Sequence, residues 1–129
     1  MMSHRSLLAA AIAGALFAAP ALAAEKVDYT PAAFDAALKG GKSILVEIHA
    51  PWCPTCKAQK PILAEIEAKP EYRDLVVVHV DFDSQKDAVQ RFGARMQSTL
   101  ITFKDGKETG RSVGETNPAA IAALVAKAI

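Results

Sequence analysis

Cys53 and Cys56, separated by Pro54 and Thr55, are the residues of this chain best suited to chemistry, and they are its only cysteines. They lie within Ile44 to Pro61, ILVEIHAPWCPTCKAQKP. Ile44, Leu45, Val46 and Ile48 form a short apolar run of strand-forming residues. Ala50 and Pro51 stop it, because proline has no N–H to give to a ladder. Helix formers resume at Lys57, Ala58, Gln59 and Lys60. The cysteines therefore fall in the first turn of a helix, where free N–H groups and the helix dipole favour negative charge. Such a setting lowers a thiol pKa and enriches the thiolate, which is the nucleophile. Cys56 stands one turn on from Cys53, on the same face, so it can close a disulfide or resolve a mixed one. The spacing predicts dithiol–disulfide exchange.

A structural staple is the other use of two cysteines. Closing so short a loop stabilises a chain by only about 2 kcal/mol, less than a wider bridge gives. A metal site is a further alternative, with Cys53 and Cys56 joined by a third ligand such as His49. A closed zinc site needs four ligands, and too few are in view.

The elements that position the cysteines follow from punctuation along the chain. Val27 to Tyr29 is a candidate edge strand. Thr30 is an N-cap with Pro31 at the first helical position, opening a helix to about Lys39 that Gly40-Gly41 ends. The second helix runs from Cys53 to about Lys69, with Ile62, Leu63 and Ile66 as its buried stripe and a kink at Pro61. Leu75 to Val80 is apolar enough to be buried on both faces, and strand–helix–strand implies a right-handed parallel crossover. Ser84 to Phe92 reads as a short helix closed by Gly93. Thr99 to Phe103 and Glu108 to Val113 flank an Asp-Gly turn. Asn117-Pro118 caps a last helix bearing Ile121, Leu124, Val125 and Ile129. The order β-α-β-α-β-α-β-β-α predicts an α/β fold, a central mixed sheet with helices on both faces.

Trp52-Cys-Pro-Thr-Cys-Lys57, Pro61 in the same helix and TLITFKDGKE near the end resemble the thioredoxin family, over about Val27 to Ile129. The resemblance implies a thioredoxin-like fold and a redox-active Cys53–Cys56 disulfide that needs no other cofactor and no metal. It makes Cys53 the exposed, attacking thiol and Cys56 the resolving one. Glu47 matches the family's buried aspartate, which accepts the proton of the resolving cysteine. Burial should raise its pKa toward the range of a general base; the alternative is a carboxylate in water or paired with Lys42. His79 matches a lysine that neighbours the buried acid, so the two readings of it are a Glu47–His79 proton relay and a satisfied half-buried side chain. His49 shares a sheet face with Glu47.

The sharpest departure from the family is at Ser98, where a cis-proline normally faces the cysteines and substrate backbone pairs beside it. A cis bond before serine costs about 2.5–4 kcal/mol, so a trans peptide is expected at Gln97-Ser98. Without that proline the thiols have more room for a soft metal. Trp52, Met96, Gln97, Ser98 and Gly114, with Phe82 and Val113, are the residues expected to form a shallow substrate groove, Gly114 letting a backbone approach closely.

Arg5, the apolar run Ser6 to Ala19 and the small-x-small Ala21-Leu22-Ala23 predict a cleavable signal peptide over residues 1–23. That leaves one domain, 24–129, long enough for a single core. Without Arg5, fourteen basic residues face fourteen acidic ones, a balance that excludes nucleic acid or an anionic membrane surface as natural partners. Export places the cysteines in a disulfide-permissive compartment, a bacterial periplasm. The expected protein is a monomeric exported thiol–disulfide oxidoreductase working as a reductant. Its expected partners are protein thiols and disulfides of the periplasm and a membrane or soluble electron-transfer protein. The rival readings are a copper- or zinc-handling module and a binding domain that kept the fold without the chemistry.

Overall fold

The computed structural model describes residues 13–16 and 23–129, so the segment expected to be a signal peptide lies almost wholly outside the described residues. Five strands form one sheet in the order β1-β3-β2-β4-β5. They are β1 (Glu25–Asp28), β2 (Ile44–His49), β3 (Val76–Asp81), β4 (Thr99–Lys104) and β5 (Lys107–Val113). β3 runs parallel to both β1 and β2, whereas β4 is antiparallel to β2 and β5 antiparallel to β4. Between them lie α1 (Pro31–Lys39), α2 (Pro54–Glu67), α3 (Lys86–Arg91) and α4 (Pro118–Val125). This is the mixed sheet the residue pattern predicts, with the four-residue β1 at one edge and the seven-residue β5 at the other.

Period-two alternation in β2 divides the core. Ile44, Val46 and Ile48 pack on one face with Phe34, Val78, Val80 and Phe92. Leu45 packs on the other with Leu63, Ile66, Leu100, Ile121 and Val125. Glu47 and His49 follow Leu45 in register, so both point to the α2 side. Because β2 is hydrogen-bonded to β3 on one flank and β4 on the other, it cannot slip without exchanging its two faces.

Two helix starts match their sequence signals closely. Thr30 accepts the Ala33 N–H at 3.1 Å, and Asn117 accepts the Ala120 N–H at 3.0 Å, each with proline next in the chain. β1 lies two residues earlier than expected at its start and Ile129 falls beyond the last helix, and two helix starts differ as well. α2 begins at Pro54, and Cys53 is its N-cap rather than its first helical residue. α3 starts only at Lys86, because Asp81 Oδ1 accepts the N–H groups of Asp83 and Ser84, each at 2.9 Å, and holds that stretch as a turn. No helix among the described residues is long and apolar enough to cross a membrane.

Candidate active site

Cys53 and Cys56 form a disulfide at the N-terminus of α2, with their Cα atoms 5.3 Å apart. Cys53 has an extended backbone, and its Sγ accepts the Cys56 N–H at 3.1 Å. A sulfur therefore occupies the place that serine or aspartate usually takes at a helix start. The expected difference in exposure between the two cysteines is not found. Cys53 is 2% exposed and Cys56 4%, because Ala50 and the half-buried Phe82 pack against both. What separates them is direction. Cys53 caps the helix, whereas Cys56 lines a cavity of about 190 Å³ between α2 and the sheet.

Glu47 and Glu67 line that cavity from opposite sides, one from β2 and one from the last turn of α2. Glu47 Oε1 is sealed from solvent without a partner, and so is Glu67 Oε1. Glu67 as a residue is only 3% exposed, and Lys26 Nζ of β1 stands 2.9 Å from its Oε2. Burial, first, and then hydrogen bonding and repulsion from the Glu67 carboxyl, push the Glu47 pKa well above its ordinary value; the Lys26 and Lys60 charges oppose the rise. Glu47 thus has a carboxyl neighbour that the Glu47–His79 relay did not include. The carboxyl that raises the Glu47 pKa is that of Glu67, which lines the same cavity, while His79 is the register partner of Glu47 across β2–β3. The His79 ring lies instead 5.1 Å from that of His49, whose pKa is lowered by burial and then by the His79 charge. A Glu47–Lys42 ion pair does not occur among the described residues.

Of the expected groove residues, Phe82 packs against the disulfide, Trp52 precedes Cys53 in the chain, and Ser98 and Gly114 are joined by a backbone hydrogen bond. Trp52 is 58% exposed, with its indole N–H donated to Asp83 Oδ2 at 2.7 Å. Met96 and Val113 are also exposed. Gly114 has a left-handed φ of 70°, and a Cβ there would meet nothing within 4 Å. Its backbone conformation calls for glycine, and the space beside it is open. Ser98 follows a trans peptide and also has a positive φ, 60°. Its N–H is donated to Ile48 O at 2.8 Å, and its carbonyl accepts from Gly114 N at 3.0 Å. Proline satisfies neither demand, since it lacks the N–H and fixes φ near −65°. Ser98→Pro is therefore a backbone lesion here and no clean probe of metal access. Among the described residues no group of three or more His, Cys, Asp or Glu side chains is placed to hold a metal ion.

Sequence reasoning missed Gln59 and Glu67. Gln59 is 3% exposed, and its side-chain N–H group donates to Ser98 O at 3.3 Å and to Glu115 O at 2.9 Å. The buried stripe of α2 is Cys56, Gln59, Leu63, Ile66 and Glu67, while Ile62 is only half-buried. The signal was spacing from Cys56: Gln59 lies about one turn on and Glu67 about three, on the same face.

The thioredoxin family model matches residues 25–127 of this chain. The chain belongs to the thioredoxin family. It is 36% identical over 84 residues to thioredoxin of Chlamydia muridarum, a match covering 65% of this chain and 80% of that one. It is 39% identical over 110 residues to protein disulfide-isomerase erp38 of Neurospora crassa, covering 83% of this chain and 28% of that longer protein. Among solved structures, Trxlp from Edwardsiella tarda EIB202 superposes with a TM-score of 0.76 at 44% identity, covering 78% of this chain and 98% of that one. As a member of the thioredoxin family with its Cys-x-x-Cys pair intact, the protein is a thiol–disulfide oxidoreductase.

Two predictions follow from this thioredoxin site. Between the ordinary Glu47 value of 4.5 and its raised folded value, the folded protein holds more protons than the unfolded one. Stability is then greatest below the lower value and falls as pH rises through the higher one. Urea midpoints measured against pH should show this decline in wild type and a flatter profile in Glu47→Gln. At Ser98, a left-handed serine carries backbone strain that glycine does not. Ser98→Gly should raise urea stability by about 1 kcal/mol, whereas Ser98→Pro should lower it by about 3 kcal/mol.

Proposed function

We propose that the protein is an exported, monomeric reductant that passes electrons to disulfides of other periplasmic proteins. The observation that carries the mechanism is the Cys53 sulfur seated on the Cys56 N–H at the start of α2. The same helix end that holds the sulfur in the disulfide stabilises a thiolate once the bond is reduced. In the reduced protein, Cys53 attacks one sulfur of a substrate disulfide, forms a mixed disulfide and releases the first substrate thiolate. Cys56 gives its proton to Glu47 and attacks Cys53 Sγ, closing the internal disulfide and releasing the second thiolate. Two electrons pass to the substrate, whose thiolates take up protons. A dithiol partner, membrane-bound or soluble, restores the reduced state.

Trp52, Met96, Gln97, Ser98 and Gly114 form the docking groove in this reading. Exposed apolar surface at Trp52, Met96 and Val113 suits the apolar segments that an incompletely folded protein presents. The reducing direction is supported by the acidic residues behind Cys56. Negative charge near a sulfur disfavours its thiolate, and a reduced form that is less stabilised gives up its electrons more readily. Export is supported by Arg5, the apolar run after it and the small residues at Ala21 and Ala23.

Cys53→Ser should abolish disulfide exchange, and Cys56→Ser should accumulate mixed disulfides on Cys53. Adducts mapped by mass spectrometry to any other residue reverse the roles. Equilibration of the purified protein with glutathione buffers should give a potential more negative than about −220 mV; a value near −120 mV would make it an oxidant.

A further inference from the structure

The cavity behind Cys56 contains a buried acidic residue that the exchange mechanism above does not use. Glu67 is the last residue of α2 and lines the same cavity as Glu47, close enough for its carboxyl to raise the Glu47 pKa. Two fully ionised carboxylates have acceptors only, so neither can satisfy the other. One proton placed between them turns two orphaned oxygens into a donor and an acceptor and removes the like-charge repulsion. Lys26, whose side chain is 61% exposed, sets a positive charge at the Glu67 end of the pair, where the cavity reaches water.

We propose that Glu47 and Glu67 act as one carboxyl pair sharing a single proton, through which the Cys56 proton passes to and from solvent beside Lys26. The proposal rests on Glu47 being the proton acceptor of Cys56. Before the resolving step the pair carries one proton and one negative charge. The proton leaving Cys56 Sγ binds Glu47 while the shared proton settles on Glu67. The pair is then neutral, and one proton leaves to water from the Glu67 end. When a partner reduces the disulfide, the same path returns a proton to Cys56. Glu67 touches neither sulfur, so it is a positioning residue for the Glu47 proton.

The other groups facing the pair are accounted for. β1 contributes Lys26, β2 contributes His49 and β3 contributes His79, while α2 contributes Cys56 and Lys60. Lys26 and Lys60 both favour the ionised pair. The two histidine rings lie 5.1 Å apart and tilted to each other, His79 across the strand pair from Glu47 and His49 across it from Asp81.

The test is an infrared titration of the buried carboxylic C=O band in the oxidised full chain, where no thiol titrates, together with stopped-flow measurement of the resolving step. Glu67→Gln removes the like charge and should move the loss of the band to lower pH. Lys26→Met removes the opposing charge and should move it to higher pH. A disturbed fold would push both variants the same way, so opposite shifts support the pair. Glu47→Gln should abolish the band and slow the resolving step by about 100-fold, and Glu67→Gln should slow it by about tenfold. A Glu67→Gln titration that superimposes on wild type overturns the shared proton while leaving Glu47 as acceptor. A resolving step unaltered by Glu47→Gln overturns the acceptor role, and the relay with it.

Discussion

A carboxyl group withdrawn from water beneath a disulfide is the constraint on which the rest of this structure depends. An ionised carboxylate in such a place costs several kcal/mol unless it is paired or protonated. The chain holds it there because β2 is pinned on both flanks, and its alternation sends Glu47 to the same side as Leu45. Leaving the cavity would require the strand to turn over and bury His49 and Glu47 where Val46 and Ile48 now pack. The stability of the sheet thus keeps an unfavourable group in place. Strain of this kind belongs at a site of proton exchange, where a group content in either charge state would have no reason to respond to a sulfur.

α2 answers the same constraint from above. Its first turn holds the disulfide, its middle packs Leu63 and Ile66 into the core, and its last turn brings Glu67 back to the cavity. One helix therefore links the redox centre to the acidic pair over a fixed distance. Pro61 removes one internal hydrogen bond, yet α2 runs unbroken from Pro54 to Glu67. Packing of the buried stripe compensates for the missing bond.

Much of this was legible in the residues because local chemistry and tertiary context agree. The Thr30, Asn117 and Asp-Gly signals each carry their own geometry, and the cysteine spacing on a helix start has few other uses. The inward-facing Glu47, half-buried with its Oε1 sealed, was legible because a charge interrupts an apolar strand. Gln59 and Glu67 were not, because polar residues on an amphipathic helix ordinarily face water. Only the position of β1 and of the loops at Ser98 and Glu115 makes them interior, and no local pattern encodes those contacts. Ser98 was visible as a departure, but its left-handed backbone was not, since the bonds to Ile48 and Gly114 that sustain it come from distant parts of the chain.

The Gln59 amide has a consequence for how the surface above it behaves. By holding the carbonyls of Ser98 and Glu115 together, it fastens two separate loops to one helix. The rim that an incoming polypeptide meets is thereby a single body, and its shape is governed from behind. Selectivity among clients can then drift through a side chain that no client ever touches.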